Sequence, residues 1–338
     1  MTQPGQLAEL RYFGLTVRQW TILGAIVGMV LLLVMPFLLR NYRVFQINLA
    51  MVYAIAILGL NMLTGYNGQI SLGHGAFYAI GGYTAAILMH RYGVPYWATL
   101  PVAGFVCLVA GFLFGLPALR LQGHYLALAT FALALATPQI LKYKHFEEFT
   151  GGVQGIVLDK PEPPIEFSFL GQALSQDRWL YFFTLLVAAI MFLLAWNILR
   201  GRIGRAMIAI RDQPIAAAAM GVNLAMVKSL TFGVSAMYTG VAGALGAIVV
   251  AFVAPDSFNI FLSITILVGA VVGGLASIPA AIFGAIFIQY VPNIADQISK
   301  SAPWAVYGVF LIGLMYLMPT GVMGLLRLVG ARLRKYAD

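Results

Sequence analysis

The residues best suited to chemistry lie in a polar, glycine-rich stretch between two apolar runs. Four glycines fall within eleven residues and are interspersed with amide, hydroxyl and imidazole side chains, in the order Gly65, Asn67, Gly68, Gln69, Ser71, Gly73, His74 and Gly75. Glycine lets the backbone leave helical dihedral angles, and broken backbone at membrane depth is tolerated only against protein or a water-filled path. The stretch therefore predicts a pore-lining element, and a plain loop of about ten residues is the alternative. The polar side chains expected to line the path are Asn61, Gln69, Ser71 and His74.

A second informative stretch, residues 200–228, carries basic residues around a short alanine-rich segment. Asp212 is suited to cap a helix that begins near Pro214, since proline fits the first helical turn. Gly221 is suited to close that helix. A helix of about two turns is too short to be stable alone and must pack on something. A groove on a partner protein would fit it; the alternative is that it lies on the protein's own surface or near anionic lipid.

The sequence lacks the common catalytic and metal-binding motifs. It contains no Gly-Lys dipeptide, so the phosphate-binding loop of P-loop ATPases is missing. The four histidines are never three or four residues apart, so none pair on one helix face as metal ligands. Neither His-Glu-x-x-His nor Gly-x-Ser-x-Gly occurs. We therefore expect no enzymatic activity, metal or cofactor on this chain.

The composition indicates that the helices that position these residues lie in a membrane. Hydrophobic residues make up 61% of the chain and charged residues only 9%, whereas soluble domains carry about 25% charged residues. A net charge of +9 could indicate nucleic-acid binding. The basic residues lie at the ends of apolar runs, however, as the positive-inside rule describes. We therefore expect contact with lipid and none with nucleic acid.

The apolar runs predict an all-α membrane protein with about ten spans, since a spanning helix needs about 20 residues. The predicted spans are 21–39, 44–63, 74–90, 95–116, 121–141, 179–199, 229–251, 260–278, 280–294 and 303–319. They contain no Asp, Glu, Lys or Arg, which argues against a proton-coupled carrier. Small residues four apart predict close helix packing, at Gly24/Gly28, Gly111/Gly115, Gly240/Ala244 and Gly269/Gly273.

The distribution of charge predicts the orientation. With both termini in the cytosol, the inside segments hold twelve basic and three acidic residues, and the outside segments hold eight of each. The predicted organisation is a cytosolic segment 1–20, one transmembrane domain 21–320 and a basic cytosolic tail 321–338. Within the domain, residues 142–178 form an extracytoplasmic loop and residues 200–228 a cytosolic one.

The glycine-rich stretch also carries a resemblance to a known family. Residues 58–74 read Leu-Gly-Leu-Asn-Met-Leu-Thr-Gly-Tyr-Asn-Gly-Gln-Ile-Ser-Leu-Gly-His. This block resembles the permease subunits of branched-chain amino-acid ABC importers almost throughout. Shorter similarities are spread over 44–326, at 116–127, 150–155, 209–212, 219–221, 255–258, 273–277 and 319–324.

The resemblance implies a multi-pass permease of the bacterial plasma membrane, with the ten-span fold of vitamin-type (type II) importers. It also implies a second homologous permease, two cytosolic ATPases that use the ATP, and an extracytoplasmic binding protein. Residues 212–221 look like the helix that docks on an ATPase, and 200–211 like its basic approach. The implied coupling residues are Arg205, Arg211, Asp212, Ile215, Ala216, Ala219, Met220 and Gly221.

One departure from the family and two alternatives remain. Pro214 and Ala218 stand where the family often has glutamates, so the contacts that such acidic residues would make to the ATPase are not expected here. Permeases for urea or short-chain amides share these motifs and are the alternative within the family. A channel that needs no ATP is the alternative from another class.

Overall fold

The computed structural model describes residues 11–12, 15–16, 28, 31–118, 123–164, 168–169, 172–298, 300, 303–318, 320–326 and 328. Its longer helices are α1 (Asn41–Asn61), α2 (His74–Tyr92), α3 (Tyr96–Ala118), α4 (His124–Leu141), α5 (Gln176–Arg200), α6 (Arg202–Asp212), α7 (Pro214–Ala219), α8 (Leu224–Val250), α9 (Ile260–Gly273), α10 (Ala280–Ile298) and α11 (Pro303–Leu317). Residues 31–38 and 321–326 are also helical. Most of the predicted terminal segments 1–20 and 321–338 lie outside the described residues.

The strands of the described residues form short antiparallel pairs. β1 (Arg11–Tyr12) pairs with β2 (Leu15–Thr16), and β4 (Ser168–Phe169) pairs with β5 (Gln172–Ala173). The third pair joins β3 (Ile156–Val157) to β6 (Phe252–Val253), with Ile156 opposite Val253. Because each strand has two residues, the protein is essentially all-α.

Six helical segments within the described residues are long and apolar enough to cross a membrane. They are Asn41–Tyr66, Tyr96–Pro117, His124–Leu141, Gln176–Arg200, Leu224–Val250 and Gly308–Leu326. A described helix lies in each of the apolar segments predicted from residue 44 onward. The prediction that one helix continues to residue 278 is wrong, because α9 ends at Gly273 and Gly274 has φ 115°. Fourteen residues rise only about 21 Å, less than the thickness of the hydrocarbon core.

The longest helix, α8, packs against α1, α2 and α3 and forms the centre of the bundle. Small residues at these contacts allow the helices to approach closely. A β-carbon at Gly81 of α2 would overlap the carbonyl of Gly240 in α8, and one at Gly111 of α3 would overlap Ala236 in α8. The predicted small-residue positions at helix contacts are Gly111, Gly115, Gly240, Ala244, Gly269 and Gly273. Gly28 has no neighbour among the described residues within 4 Å of where a β-carbon would lie, and Gly24 is outside the described residues.

The ends of the helices gather in two groups. Residues 200–228 lie with the 68–73 loop and with the connection between α9 and α10, at what we call the basic end. At the opposite end, ion pairs tie the long 142–178 loop and its neighbours together, between Arg91 and Glu148 and between Lys142 and Asp256. Each of these contacts joins segments that are predicted to lie on the same side of the membrane.

Candidate functional site

The candidate site begins where α1 loses its regular hydrogen bonding. Residues Met62–Tyr66 form a π-helical turn, and residues 68–73 are not helical. Gly68 has φ 73°, which glycine adopts without strain. Single π turns occur often at functional sites. The predicted break in the helix is present, and it lies at the basic end.

Asn61 holds the connection between α9 and α10 in place. Its Nδ2 donates to the carbonyls of Ser277 at 2.9 Å and Gly274 at 3.4 Å, and its Oδ1 accepts from the Ala276 backbone at 2.9 Å. Asn61 is fully buried, and a β-carbon at Gly65 would overlap the Ala276 backbone nitrogen. Irregular backbone away from water needs such partners. The amide of Asn61 thus satisfies three backbone groups of a buried connection.

His74 and two serines join the first residue of α2 to the rest of the bundle. Ser235 Oγ donates to the Gly59 carbonyl at 2.6 Å, so it accepts from His74 Nε2 at 2.7 Å. His74 Nδ1 then accepts from Ser71 Oγ at 3.0 Å. This network assigns a neutral imidazole protonated at Nε2. His74 is 1% exposed, and Ser71 and Ser235 are fully buried.

The rest of the loop is also anchored by side chains. Gln69 Nε2 donates to the Lys228 carbonyl at 3.3 Å, while Thr130 Oγ1 accepts from the Leu72 backbone at 2.9 Å. Ser263 Oγ accepts from the Gly75 backbone at 2.8 Å. Sequence reasoning missed Thr130, Ser235 and Ser263. Each is an isolated hydroxyl in an apolar run, and such residues commonly bond only to their own helix.

The 200–228 stretch contains more helix than predicted. Residues of the basic approach form α6, whose Met207 and Ile210 are buried. The predicted short helix is present as α7, and Gly221 closes it with φ 84°, where the Val222 backbone bonds to the Ala217 carbonyl.

The predicted cap is wrong, because Asp212 is the last residue of α6 instead of the cap of α7. Gln213 occupies the cap position and makes no side-chain hydrogen bond there. The Asp212 carboxylate is instead 2.8 Å from Arg211 Nε.

The surface of α7 is apolar and faces outward. Ile215 is 84% exposed and Met220 is 85% exposed, and Ala216 and Ala219 are exposed as well. Only Ala217 is buried within α7. Arg205, in α6, is also exposed, and its Nη1 donates to the Arg200 carbonyl at 3.3 Å. An apolar helix bordered by basic residues is a surface suited to a protein partner.

Arg211 connects this surface to the broken helix. Its Nη1 donates to the Gly65 carbonyl at 2.8 Å, and its aliphatic part lies against Gly68, where a β-carbon would be 3.0 Å from Arg211 Cγ. The carbonyl of Gly65 belongs to the π turn, where regular helix bonding is interrupted. The segment leading to α7 and the interrupted helix are therefore in direct contact.

Comparison with known proteins agrees with the resemblance seen in residues 58–74. The family model described as "Branched-chain amino acid transport system / permease component" matches residues 42–319. The chain is 34% identical to the high-affinity branched-chain amino acid transport system permease protein LivM of Escherichia coli K12, over 93% of this chain and 77% of the relative. LivM of Salmonella typhimurium LT2 gives the same identity and coverage. The LivH permease of E. coli K12 is 26% identical, over 82% of this chain and 93% of the relative. No solved structure matches the chain.

Proposed function

Because the chain belongs to the family of branched-chain amino-acid transport permeases, we propose that it forms half of the path by which leucine, isoleucine and valine enter the cell. It is a membrane permease subunit and not an enzyme. The family match over residues 42–319 is the observation that carries this conclusion. The importer's ATP is used by partner subunits, which agrees with the missing phosphate-binding loop.

The complete importer contains a second homologous permease, two cytosolic ATPases and an extracytoplasmic binding protein. This chain contributes ten membrane crossings in the arrangement of vitamin-type importers. The two groups of helix ends support that arrangement. In the hydrogen bonds and ion pairs described above, each loop contacts a loop that is predicted to lie on the same side of the membrane. The short α9 would complete one of the crossings together with the buried connection that follows it, residues 274–279.

The basic end faces the cytosol, and both termini lie on that side of the bacterial plasma membrane. Its arginines support this orientation through the positive-inside rule, since residues 200–228 hold four arginines and one lysine. The opposite end, with the 142–178 loop, then faces the binding protein.

Coupling runs through α7 and Arg211. When ATP binding draws the ATPases together, they move α7 through its exposed apolar surface. Arg211 passes that motion to the Gly65 carbonyl, at the point where α1 is already interrupted. Arg205, Asp212, Ile215, Ala216, Ala219, Met220 and Gly221 complete the coupling surface.

The polar residues near the break shape the path in different ways. Gln69 is largely buried as well, at 9% exposed, but it lines a pocket at the basic end, so it is the one of the four placed to meet a passing solute. Asn61, Ser71 and His74 are buried among protein partners and hold the surrounding backbone in position. Substrate needs only passing contacts here, because high affinity belongs to the binding protein.

Reconstitution with the partner subunits tests this function. Proteoliposomes that contain the importer and its binding protein should accumulate labelled leucine only with ATP, and a large excess of urea should not compete. Uptake of labelled urea would indicate the amide-transporting branch of the family. Equal leucine flux without ATP would indicate a channel and contradict the proposal.

A further inference from the structure

An apolar groove of about 440 Å³ runs along the side of the helix bundle. It lies between α1, α5, α10 and the helical residues 31–38. On α5 its lining extends from Tyr181 to Phe192, which is about 16 Å along the helix axis. α1 and α5 are long and apolar enough to cross a membrane, and the other two helices lie in predicted spans. The groove is therefore elongated and lies at the depth of the lipid.

The groove is a recess, because small buried residues form its floor and larger exposed ones form its rim. Ala54 and Ala285 are buried, whereas Ile286 is 47% exposed. The described lining residues are apolar apart from Tyr181, whose hydroxyl donates to the Leu32 carbonyl. An apolar cavity does not hold water, and an empty one leaves its lining atoms without contacts. At this depth a lipid acyl chain is the molecule that can supply them.

An acyl chain alone gives the groove no selectivity. Lipid tails are as apolar as the groove, so a chain that moves from the bilayer into it gains only packing contacts and no hydrophobic free energy. Recognition of a particular lipid therefore depends on a headgroup contact at one end of the groove.

Arg43 stands at the end of the groove that is opposite the basic end. It comes four residues before Ile47 on α1, so it lies on the same helix face as the groove residues Ile47 and Met51, one turn nearer the start of α1. On α10, Tyr290 comes four residues after Ile286 in the same way, and Arg43 interacts electrostatically with Tyr290. The residues that continue both walls of the groove toward this end therefore meet there.

The guanidinium of Arg43 is available for a ligand. Arg43 is exposed, and its side chain makes no hydrogen bond or ion pair to a described residue. Arg40, just before α1, is exposed as well. Tyr42 is 65% exposed, and aromatic and basic residues at the ends of membrane helices lie at the level of the lipid headgroups. Arg40 and Arg43 thus form a cationic site at headgroup level, directly beside the groove.

The other charged residues nearby do not neutralise this site. Asp177 is paired with Lys160. Arg178 is buried and donates to a backbone carbonyl. Asp296, the acidic residue of α10, is exposed six residues beyond Tyr290, and it forms no ion pair with a described residue. The complement of Arg43 is therefore an anion from outside the described chain.

We propose that the groove holds one acyl chain of an anionic phospholipid and that Arg43, together with Arg40, binds the phosphate of the same molecule. In phosphatidylglycerol the phosphate charge is uncompensated, whereas in phosphatidylcholine the choline cation offsets it. One basic residue at a membrane surface favours an anionic lipid roughly fivefold. The bound lipid joins residues 31–38 to α10. Its assignment to the extracytoplasmic leaflet rests on the proposed function, but the site itself does not.

The first test maps where lipid chains touch the purified permease in phosphatidylcholine nanodiscs. Trace phosphatidylglycerol or phosphatidylcholine, each with the same photoactivatable acyl chain, is crosslinked, and the labelled peptides are identified by mass spectrometry. Phosphatidylglycerol should label residues 47–54, 181–192 and 282–286 several-fold more than phosphatidylcholine does. The combined variant Arg40→Met and Arg43→Met should remove this preference. Arg202→Met, which changes an exposed arginine at the basic end, is its control.

A second variant tests the groove itself. Ala189 is exposed and lines the groove, so Ala189→Phe should fill it without disturbing the core. It should reduce labelling by both lipids to the level found on the lipid-facing side of α4. Ala132→Phe, at an exposed alanine of α4 outside the groove, is the matched control and should label as the wild type does.

Three labelling results would overturn the proposal. Equal labelling of the groove by the two lipids, or a preference that survives the loss of both arginines, would contradict headgroup recognition. Wild-type labelling no stronger than that of α4 would show that no lipid chain enters the groove. Labelling that disappears when the complete importer is assembled would show that a partner subunit is the occupant.

Thermal unfolding of the permease in detergent gives an independent measurement. A ligand that binds the folded state raises its stability, so phosphatidylglycerol should raise the unfolding temperature of the wild type and of Arg202→Met by several degrees more than phosphatidylcholine. The two lipids should act equally on the Arg40→Met and Arg43→Met variant, and an equal effect on the wild type would overturn the proposal. A failure of ATP-driven leucine uptake would instead count against the proposed function and leave both lipid measurements standing.

Discussion

His74 and Ser235, which are 161 residues apart, are joined by a hydrogen bond of 2.7 Å in the buried centre of the protein. Ser235 donates onward to the Gly59 carbonyl, and His74 accepts from Ser71. The start of α2, the middle of α8 and the end of α1 are thereby fixed to one another. The glycine-rich loop is therefore attached to helices whose relative positions are fixed. A contact such as the one between Arg211 and Gly65 then acts on a segment with a defined position.

The first prediction concerns this frame. His74→Ala should lower the free energy of unfolding by about 2–4 kcal/mol, since it removes a buried ring and leaves Ser71 and Ser235 with fewer partners. Ser235→Ala should cost about 1–3 kcal/mol, because the imidazole N–H is left unpaired. Thermal unfolding of the purified permease in detergent measures both. Thr84→Ala is the control, because the Thr84 hydroxyl bonds to the Ile80 carbonyl of its own helix; an equal loss there would contradict a special role for the network.

The second prediction concerns the connection between α9 and α10. Asn61→Leu keeps a similar volume but leaves the Gly274 and Ser277 carbonyls and the Ala276 N–H without their side-chain partner. Each unpaired buried group costs about 1–3 kcal/mol, so we expect a marked fall in unfolding temperature and in yield from membranes. Asn293→Leu is the matched control, because Asn293 is exposed and bonds within its own helix. Similar yields from the two variants would show that Asn61 is dispensable.

The third prediction concerns the link between α6 and the π turn. Arg211→Met keeps much of the aliphatic contact with Gly68 but removes the donor to the Gly65 carbonyl. A hydrogen bond from a charged group contributes about 1.5–3 kcal/mol, so transport per ATP hydrolysed should fall about tenfold or more. ATP hydrolysis and leucine uptake are measured together in proteoliposomes. Arg211→Lys should recover part of the coupling, and Arg202→Met should retain it. Normal coupling in Arg211→Met would exclude this route.

The fourth prediction uses two glycines with similar backbone conformation. Gly221 has φ 84° and Gly93 has φ 61°, and at neither position does an atom of another described residue lie within 4 Å of where a β-carbon would be. Leucine at either position should cost about 1–2 kcal/mol of backbone strain. Because Gly221 closes α7 whereas Gly93 closes α2 at the opposite end, only Gly221→Leu should separate ATP hydrolysis from transport. Equal transport by the two variants would contradict the assignment of α7 as the coupling helix.

The local features of the candidate site could be predicted because they depend on neighbouring residues. The glycines around residues 65–75 predicted broken backbone, and Pro214 with Gly221 predicted a short helix, because these residues restrict or release their own dihedral angles. The helix α6 was missed, since the basic residues between 200 and 211 obscured the buried positions of Met207 and Ile210. The prediction that Asp212 caps α7 failed for the same reason, because the sequence alone does not show that α6 continues to Asp212.

The sequence alone determined the apolar runs, the lack of an ATP-binding motif and the family. Composition and motifs depend only on the residues and their order along the chain. The partners of the polar residues were decided only by tertiary structure. Asn61 meets residues 274–277, His74 meets Ser235, and Arg211 meets Gly65, across separations of 146 to 216 residues. Within a membrane a buried polar group takes whichever complementary group the helix packing brings near, and that packing depends on small residues and shape that no local pattern records.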